Sequence, residues 1–183
     1  TVARRKAADD FSKRVCEVLQ YLEMPKVVFI VDIKKKMYTV NGCDEVEFLI
    51  SANRGEEVKP LSKIASGGEI SRVMLSLKAL LAEKSKLPTI IFDEIDTGVS
   101  GRIADAMGDI ISRLSENMQV VAITHLPQVA SKGESHFVVY KQNSVTNIAR
   151  LDAEQRVEEI AQMLSGSVIS AAALEQARLL LGK

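Results

Sequence analysis

Apolar side chains at Phe11, Val15, Val18, Leu19 and Leu22 recur at helical spacing, so residues 1–24 predict one helix, ended by Pro25. Its first ten residues, including Arg4, Arg5, Lys6, Asp9 and Asp10, carry almost no apolar stripe, which predicts a solvated end projecting from the body. The period then changes. Residues 27–33 read as a strand, Lys34-Lys35-Lys36 as a polar turn and 37–40 as a second strand. Asn41-Gly42 is a hairpin signal leading into a third strand through Val46, Phe48 and Ile50. The helix thus feeds an antiparallel meander, and residues 52–60, rich in Asn, Gly, Glu and Pro, read as a loop.

Helical spacing returns over 67–84, with Ile70, Val73, Met74, Leu77, Leu80 and Leu81 on one face. Pro88 introduces Thr89-Ile90-Ile91-Phe92-Asp93, an apolar run of the kind buried on both faces of a parallel sheet. Residues 101–115 form the cleanest helical pattern, through Ile103, Ala106, Met107, Ile110, Ile111 and Leu114, and Val120–Thr124 is another buried strand. Strand, helix and strand make a right-handed βαβ unit. Residues 135–141 and 145–151 predict a hairpin across Gln142-Asn143-Ser144. Two helices follow, at 153–164 and 168–181, separated by Ser165-Gly166-Ser167. The fold class is α/β: a parallel-core sheet flanked by helices, with an antiparallel N-terminal meander.

Composition narrows the class. The chain has 183 residues, 46% hydrophobic and 26% charged, which excludes a disordered or collagen-like polymer. A domain of this size buries enough surface to fold without a disulfide or metal staple. Lys and Arg number 24 against 24 Asp and Glu, so only a local patch could grip nucleic acid or an anionic membrane. No apolar run could span a bilayer, and no secretory signal stands at the start. Cys16 and Cys43 are too few for a disulfide framework and read as buried small hydrophobes in a reducing cytosol. The opening Thr1-Val2-Ala3 lacks an initiator Met, and the expectation is a piece of a longer protein.

In an open parallel sheet, ligands bind outside the carboxyl ends of the strands. One strand ends in Asp93-Glu94 and its neighbour runs into His125, so topology delivers two carboxylates and an imidazole to one rim. The acids are either solvated strand-end groups or a metal ligand and a water-orienting base. His125 is either a structural hydrogen-bonding group or a phosphate sensor, and His136, inside a predicted strand, reads as structural. Ser66 and Glu69 form an S-x-x-E capping box at the start of helix 67–84. The same helix N-terminus, with Gly67 and Gly68, could admit a phosphate to bare N–H groups. No G-x-x-x-x-G-K-[ST] occurs, so the chain holds no phosphate cradle of its own.

Taken in order, Leu61-Ser62-Lys63-Ile64-Ala65-Ser66-Gly67-Gly68-Glu69-Ile70-Ser71-Arg72 resembles the signature motif of the ABC ATPase superfamily. Ile90-Ile91-Phe92-Asp93-Glu94 resembles its Walker B, Ile95-Asp96-Thr97-Gly98 its D-loop, and Val121-Ala122-Ile123-Thr124-His125 its switch-histidine loop. The finer wording of 66–72, 93–101 and 124–130 is similar to the RecN family, bacterial SMC-like ATPases of double-strand-break repair. The likeness runs from about residue 11 to the C-terminus and includes Glu159–Gly166.

The resemblance implies a partial ABC/SMC-type P-loop ATPase head. Residues 1–24 would be the foot of a returning coiled-coil helix and residues 25–183 the C-terminal lobe. The N-terminal half of the same protein would supply Walker A, so this chain alone would not hydrolyse ATP. Asp93 would bind Mg2+ through water, Glu94 polarise the attacking water, and His125 touch the γ-phosphate. Ser66, Gly67 and Gly68, with Glu69 as motif neighbour, would meet ATP held by the opposite head, and Asp96 would help couple the two heads. Implied partners are the N-terminal half, a second head in a homodimer, and DNA ends or single-stranded tails, with no membrane. The implied place is the bacterial cytoplasm, at the nucleoid. A sheet lacking the strands of its N-terminal half would leave apolar surface open and self-associate.

Rival readings remain. Another ABC-superfamily lobe, such as a transporter's, fits poorly with a projecting first helix and with Ala65 and Glu69 in the signature. A nucleotide-independent interaction module has no need of Glu94 beside Asp93. A metal-dependent phosphatase or nuclease would need further acidic or histidine ligands.

Overall fold

The first helix, α1 (Val2–Tyr21), buries Ala8, Val15 and Leu19 and stops in a Schellman arrangement. Met24 N–H donates to Leu19 O at 2.9 Å and Glu23 N–H to Gln20 O at 3.1 Å. Glu23 takes φ +61°, where glycine is the usual occupant. In this computed structural model, residues 1–183 are described except Ala65, Lys86, Ser167, Lys183 and the side chain of Glu83. The Ala65 of the signature wording and the Ser167 of the predicted linker therefore lie outside the described residues. The chain divides into two units, Thr1–Leu87 with Thr97–Val99, and Pro88–Asp96 with Ser100–Lys183.

In the first unit, β1 (Val28–Thr39) and β2 (Gly42–Ser51) form one long hairpin around the Asn41-Gly42 turn. This corrects the expected turn at Lys34-Lys35-Lys36. The lysines continue β1, because the carboxylates of the hairpin accept them. Lys34 Nζ lies 2.9 Å from Asp32, and Lys36 Nζ 3.8 Å from Glu45. The register slips only between Lys35 and Thr39. The expected loop also contains a short strand, β3 (Lys59–Pro60), paired with Leu49 and Ile50.

The start of α1 does not project freely. Arg4 donates to Asp44 Oδ2 at 2.7 Å and to Asn41 O at 3.0 Å, at the hairpin tip. Bonds from the Thr1 hydroxyl and from Arg4 pull the Asp44 carboxyl down to about 2. Farther along, Phe11, Phe29 and Phe48 pack with ring centroids 5.6–6.3 Å apart. Helix α2 (Gly67–Ser85) adds Val73, Leu77 and Leu80 to Val15, Leu19, Met24, Val27, Phe29 and Ile50 in one core. Ile70, Met74 and Leu81, expected on that face, are exposed.

In the second unit, β4 (Thr89–Asp93) and β5 (Gln119–Ile123) pair in parallel, with Asp93 opposite Ile123. The intervening α3 (Gly101–Ser115) buries Ala104, Met107, Ile110, Ile111 and Leu114. The short α4 (Pro127–Ala130), absent from the sequence pattern, packs against it, and Lys132 bridges Asp105 at 3.1 Å and Asp109 at 2.8 Å. Strands β6 (Phe137–Gln142) and β7 (Val145–Arg150) turn through left-handed Asn143 and Ser144. A full capping box between Asp152 and Gln155 opens α5 (Ala153–Ser165), which packs on α6 (Ala171–Leu180) through Val157, Ile160, Ala161, Ala173 and Ala177. Ile91, Val121 and Ile123 share one face of the parallel pair and are exposed. That is an uncovered face in a sheet type that is normally covered on both sides.

His136 stands just before β6, and its Nδ1 is buried with no hydrogen-bond partner among the described residues. Burial first, and the Arg156 guanidinium second, lower its pKa below the ordinary 6.5, against a smaller opposing pull from Glu159. The fold therefore favours the neutral ring. Its stability contribution is complete above pH 6.5 and is lost as pH falls from there through the lowered folded value. His136→Gln is expected to flatten the decline in stability measured by denaturant titrations between about pH 7 and pH 5. An unchanged decline would contradict this origin.

Candidate functional site

Two clusters carry the chemistry, one in each unit. In the first unit, Ser66 and Gly67 stand exposed at the N-terminus of α2. The first-turn N–H groups of a helix have no partner within it and form its positive end. Ile70 N–H donates to Ser66 O at 3.0 Å, whereas the expected capping bond from Glu69 N–H to Ser66 Oγ is long, at 3.5 Å. Glu69 is half-buried on the wall of a cavity of about 480 Å3 that Asn53, Lys59, Lys63 and Ile64 also line.

The two glycines differ in their surroundings. A Cβ on Gly67 would meet nothing within 4 Å, so that backbone is open to a ligand. A Cβ on Gly68 would collide with the carbonyl oxygen of Gly98. Gly98 takes φ +76°, and a Cβ built on it would come within 2.9 Å of Gly68 N. Ser71 Oγ adds a bond to Thr97 O at 3.1 Å. Segment 97–99 is thus bolted onto the first turn of α2. The sequence signals for this contact were the two glycines, which spacing alone could not pair.

In the second unit, β4 is anchored by fully buried Phe92 and delivers Asp93 and Glu94 to solvent at its carboxyl end. Glu94 has φ +50°, a left-handed conformation costing about 1 kcal/mol for a non-glycine residue. It breaks the strand's alternation one residue after Asp93. Strained backbone of this kind concentrates at functional sites. The two acids are hard oxygen donors, the chemistry that suits Mg2+ completed by water and phosphate oxygens. Among the described residues no group of three His, Cys, Asp or Glu is arranged to hold a metal ion by protein ligands alone.

Asp96 is fully buried. Its Oδ2 accepts hydrogen bonds from Thr124 Oγ1 and, at 3.2 Å, from His125 N–H, and lies 3.5 Å from His125 Nδ1. Thr124 Oγ1 in turn accepts from Leu126 N–H at 3.0 Å. One carboxylate therefore shapes the turn after β5 and leaves the His125 ring largely exposed. The other oxygen, Oδ1, is buried without a hydrogen-bond partner. In-register parallel pairing puts the ends of β4 and β5 side by side, as the βαβ reading expected.

No protein-family model matches the chain. It is 42% identical over 190 residues to DNA repair protein RecN of Halalkalibacterium halodurans, covering 99% of this chain and 34% of that protein. It is 44% identical over 192 residues to DNA repair protein RecN of Treponema pallidum, with 99% and 34% covered. The chain thus spans about one third of the length of the curated relatives it matches. Among solved structures, the Smc head domain with a coiled coil and joint from Pyrococcus yayanosii superposes with a TM-score of 0.72 at 20% identity, over 89% of this chain and 30% of that one. A chain from a study of ATP-driven dimerization and DNA-stimulated activation of SMC ATPases gives 0.66 at 17% identity, over 91% and 98%. The fold is that of part of an SMC head.

Proposed function

We propose that this RecN-family chain is the C-terminal lobe of an SMC-like head and forms half of an ATP-hydrolysing head in DNA double-strand-break repair. ATP would be held between two heads of a homodimer, its phosphates cradled by Walker A from the N-terminal half of the same protein. That half would also cover Ile91, Val121 and Ile123. DNA ends or single-stranded tails are the substrate class, in the bacterial cytoplasm at the nucleoid. No helix among the described residues is long and apolar enough to cross a membrane. With Lys34 and Lys36 paired to carboxylates, the lysine run is a poor DNA contact, and the DNA surface would lie elsewhere.

The single observation carrying this reading is the Asp96 network, which ties the Thr124-His125 turn to the segment bearing Asp93 and Glu94. Asp93 would hold Mg2+ through water. The ion, when bound, would neutralise charge on the phosphate oxygens. Glu94 would orient a water and draw off its proton as the water oxygen bonds to the γ-phosphorus. The bond from phosphorus to the bridging oxygen breaks, and ADP leaves with those electrons. His125 would contact the γ-phosphate of its own head. Ser66, Gly67 and Gly68, with Glu69 beside them, would meet the γ-phosphate held by the other head, where the positive end of α2 favours negative charge. Asp96 would couple the heads from its buried position, through the 124–126 turn it holds.

The test is ATPase activity of this chain mixed with a separately made N-terminal half, with and without linear DNA. Activity should appear only on mixing and fall on the order of a hundredfold or more with Glu94→Gln. Ser66→Arg should remove it as well. Turnover by this chain alone would refute the missing cradle. Folded, associated halves without activity would instead favour a nucleotide-independent interaction module.

A further inference from the structure

Arg72 lies in the signature wording, yet the proposed chemistry gives it no task. Its guanidinium joins two helix ends. Nε donates to Gly68 O at 3.0 Å, in the first turn of its own helix, and Nη1 donates to Leu22 O at 3.2 Å and Glu23 O at 3.4 Å. The two latter carbonyls close α1. The Schellman bonds there satisfy Leu19 O and Gln20 O, which leaves the carbonyls at the C-cap and beyond for Arg72. A fixed positive charge is well matched to the negative end of α1, and the planar fork reaches both helices at once.

Gly68 is confined on its other side too, where the Gly98 carbonyl leaves no room for even a Cβ. A residue gripped on both sides cannot absorb a displacement by turning in place. We infer that Arg72 is a positioning residue that ties the end of α1 to the phosphate-facing turn Ser66–Gly68, so that the setting of α1 and phosphate contact at that turn influence each other. Such coupling is reciprocal: whatever ligand orders the turn also orders the end of α1. The inference rests on the proposed phosphate contact for its direction, while the tie itself rests on geometry.

Hydrogen exchange on the full-length protein tests both parts. Without nucleotide, Arg72→Met should speed exchange of the hydrogen-bonded Leu22–Met24 and Ile70 amides together by about tenfold, the loss expected for charge-assisted bonds. If only one segment responds, or neither, the tie is overturned, whatever the protein does with ATP. In a Glu94→Gln background, ATP with Mg2+ should protect both segments when Arg72 is present, and only Gly67–Ile70 in Arg72→Met. Equal protection of both segments in Arg72→Met overturns the coupling. No protection of Gly67–Ile70 in either protein sinks the phosphate contact and, with it, the coupling. Arg72→Lys keeps the charge but cannot span both ends, and serves the same comparison should Arg72→Met fail to fold.

Discussion

Asp96→Ala is expected to destabilise the second unit by about 2–3 kcal/mol and to release the turn at Thr124–Leu126. Two effects oppose each other. The substitution strips the acceptor from the Thr124 hydroxyl and the His125 N–H, and bonds to a charged group contribute about 1.5–3 kcal/mol each. It also removes a buried oxygen, Oδ1, that has no partner, which returns about 1–3 kcal/mol. The losses win because two donors are orphaned for one acceptor relieved. Asp96→Asn separates the parts, since it keeps one oxygen for Thr124 and His125 but replaces the other by an amide with no acceptor. Denaturant titration gives the stability. Imidazole nitrogen shifts report whether the His125 ring keeps its place beside residue 96. An alanine variant as stable as the parent, with unchanged ring shifts, would show that the network does not organise the turn.

Gly68→Ala and Gly67→Ala should part company, although the residues are neighbours of the same type. The methyl at 68 runs into the Gly98 carbonyl, backbone against backbone, with no flexible side chain to yield. The first turn of α2 or the 97–99 segment must move, and a cost of about 3 kcal/mol or more is expected, at the upper end of over-packing effects. The methyl at 67 meets open space, and alanine is the better helix former by up to about 1 kcal/mol, so Gly67→Ala should fold at least as well as the parent. If the turn receives a phosphate from the opposite head, Gly67→Ala will nevertheless weaken ATP-dependent head association in the full-length protein. Melting curves for both variants, with sedimentation of the full-length protein in ATP, decide the matter. Equal melting temperatures would remove the Gly68–Gly98 contact from the account. Undiminished association of Gly67→Ala would remove the phosphate contact.

By itself the sequence determined the elements whose burial follows a local period. The parallel strands at 89–93 and 119–123, the helix between them and the closing hairpin and helices stand where the patterns put them. It also named the residues at the carboxyl ends of those strands, because strand direction and connectivity decide which end carries Asp93, Glu94 and His125. What depended on cross-chain pairing was out of its reach. The lysine run at 34–36 is polar enough for a turn, but carboxylates on the same and the facing strand keep it in β1. Strand β3 has only two residues and no period at all. The burial of Asp96 depends on donors brought from Thr124 and His125, the task of Arg72 on carbonyls at the end of α1, and the fit of Gly68 on Gly98. Each of these joins residues more than 25 positions apart through directional bonds or contact at van der Waals range, and only the folded chain brings such groups together.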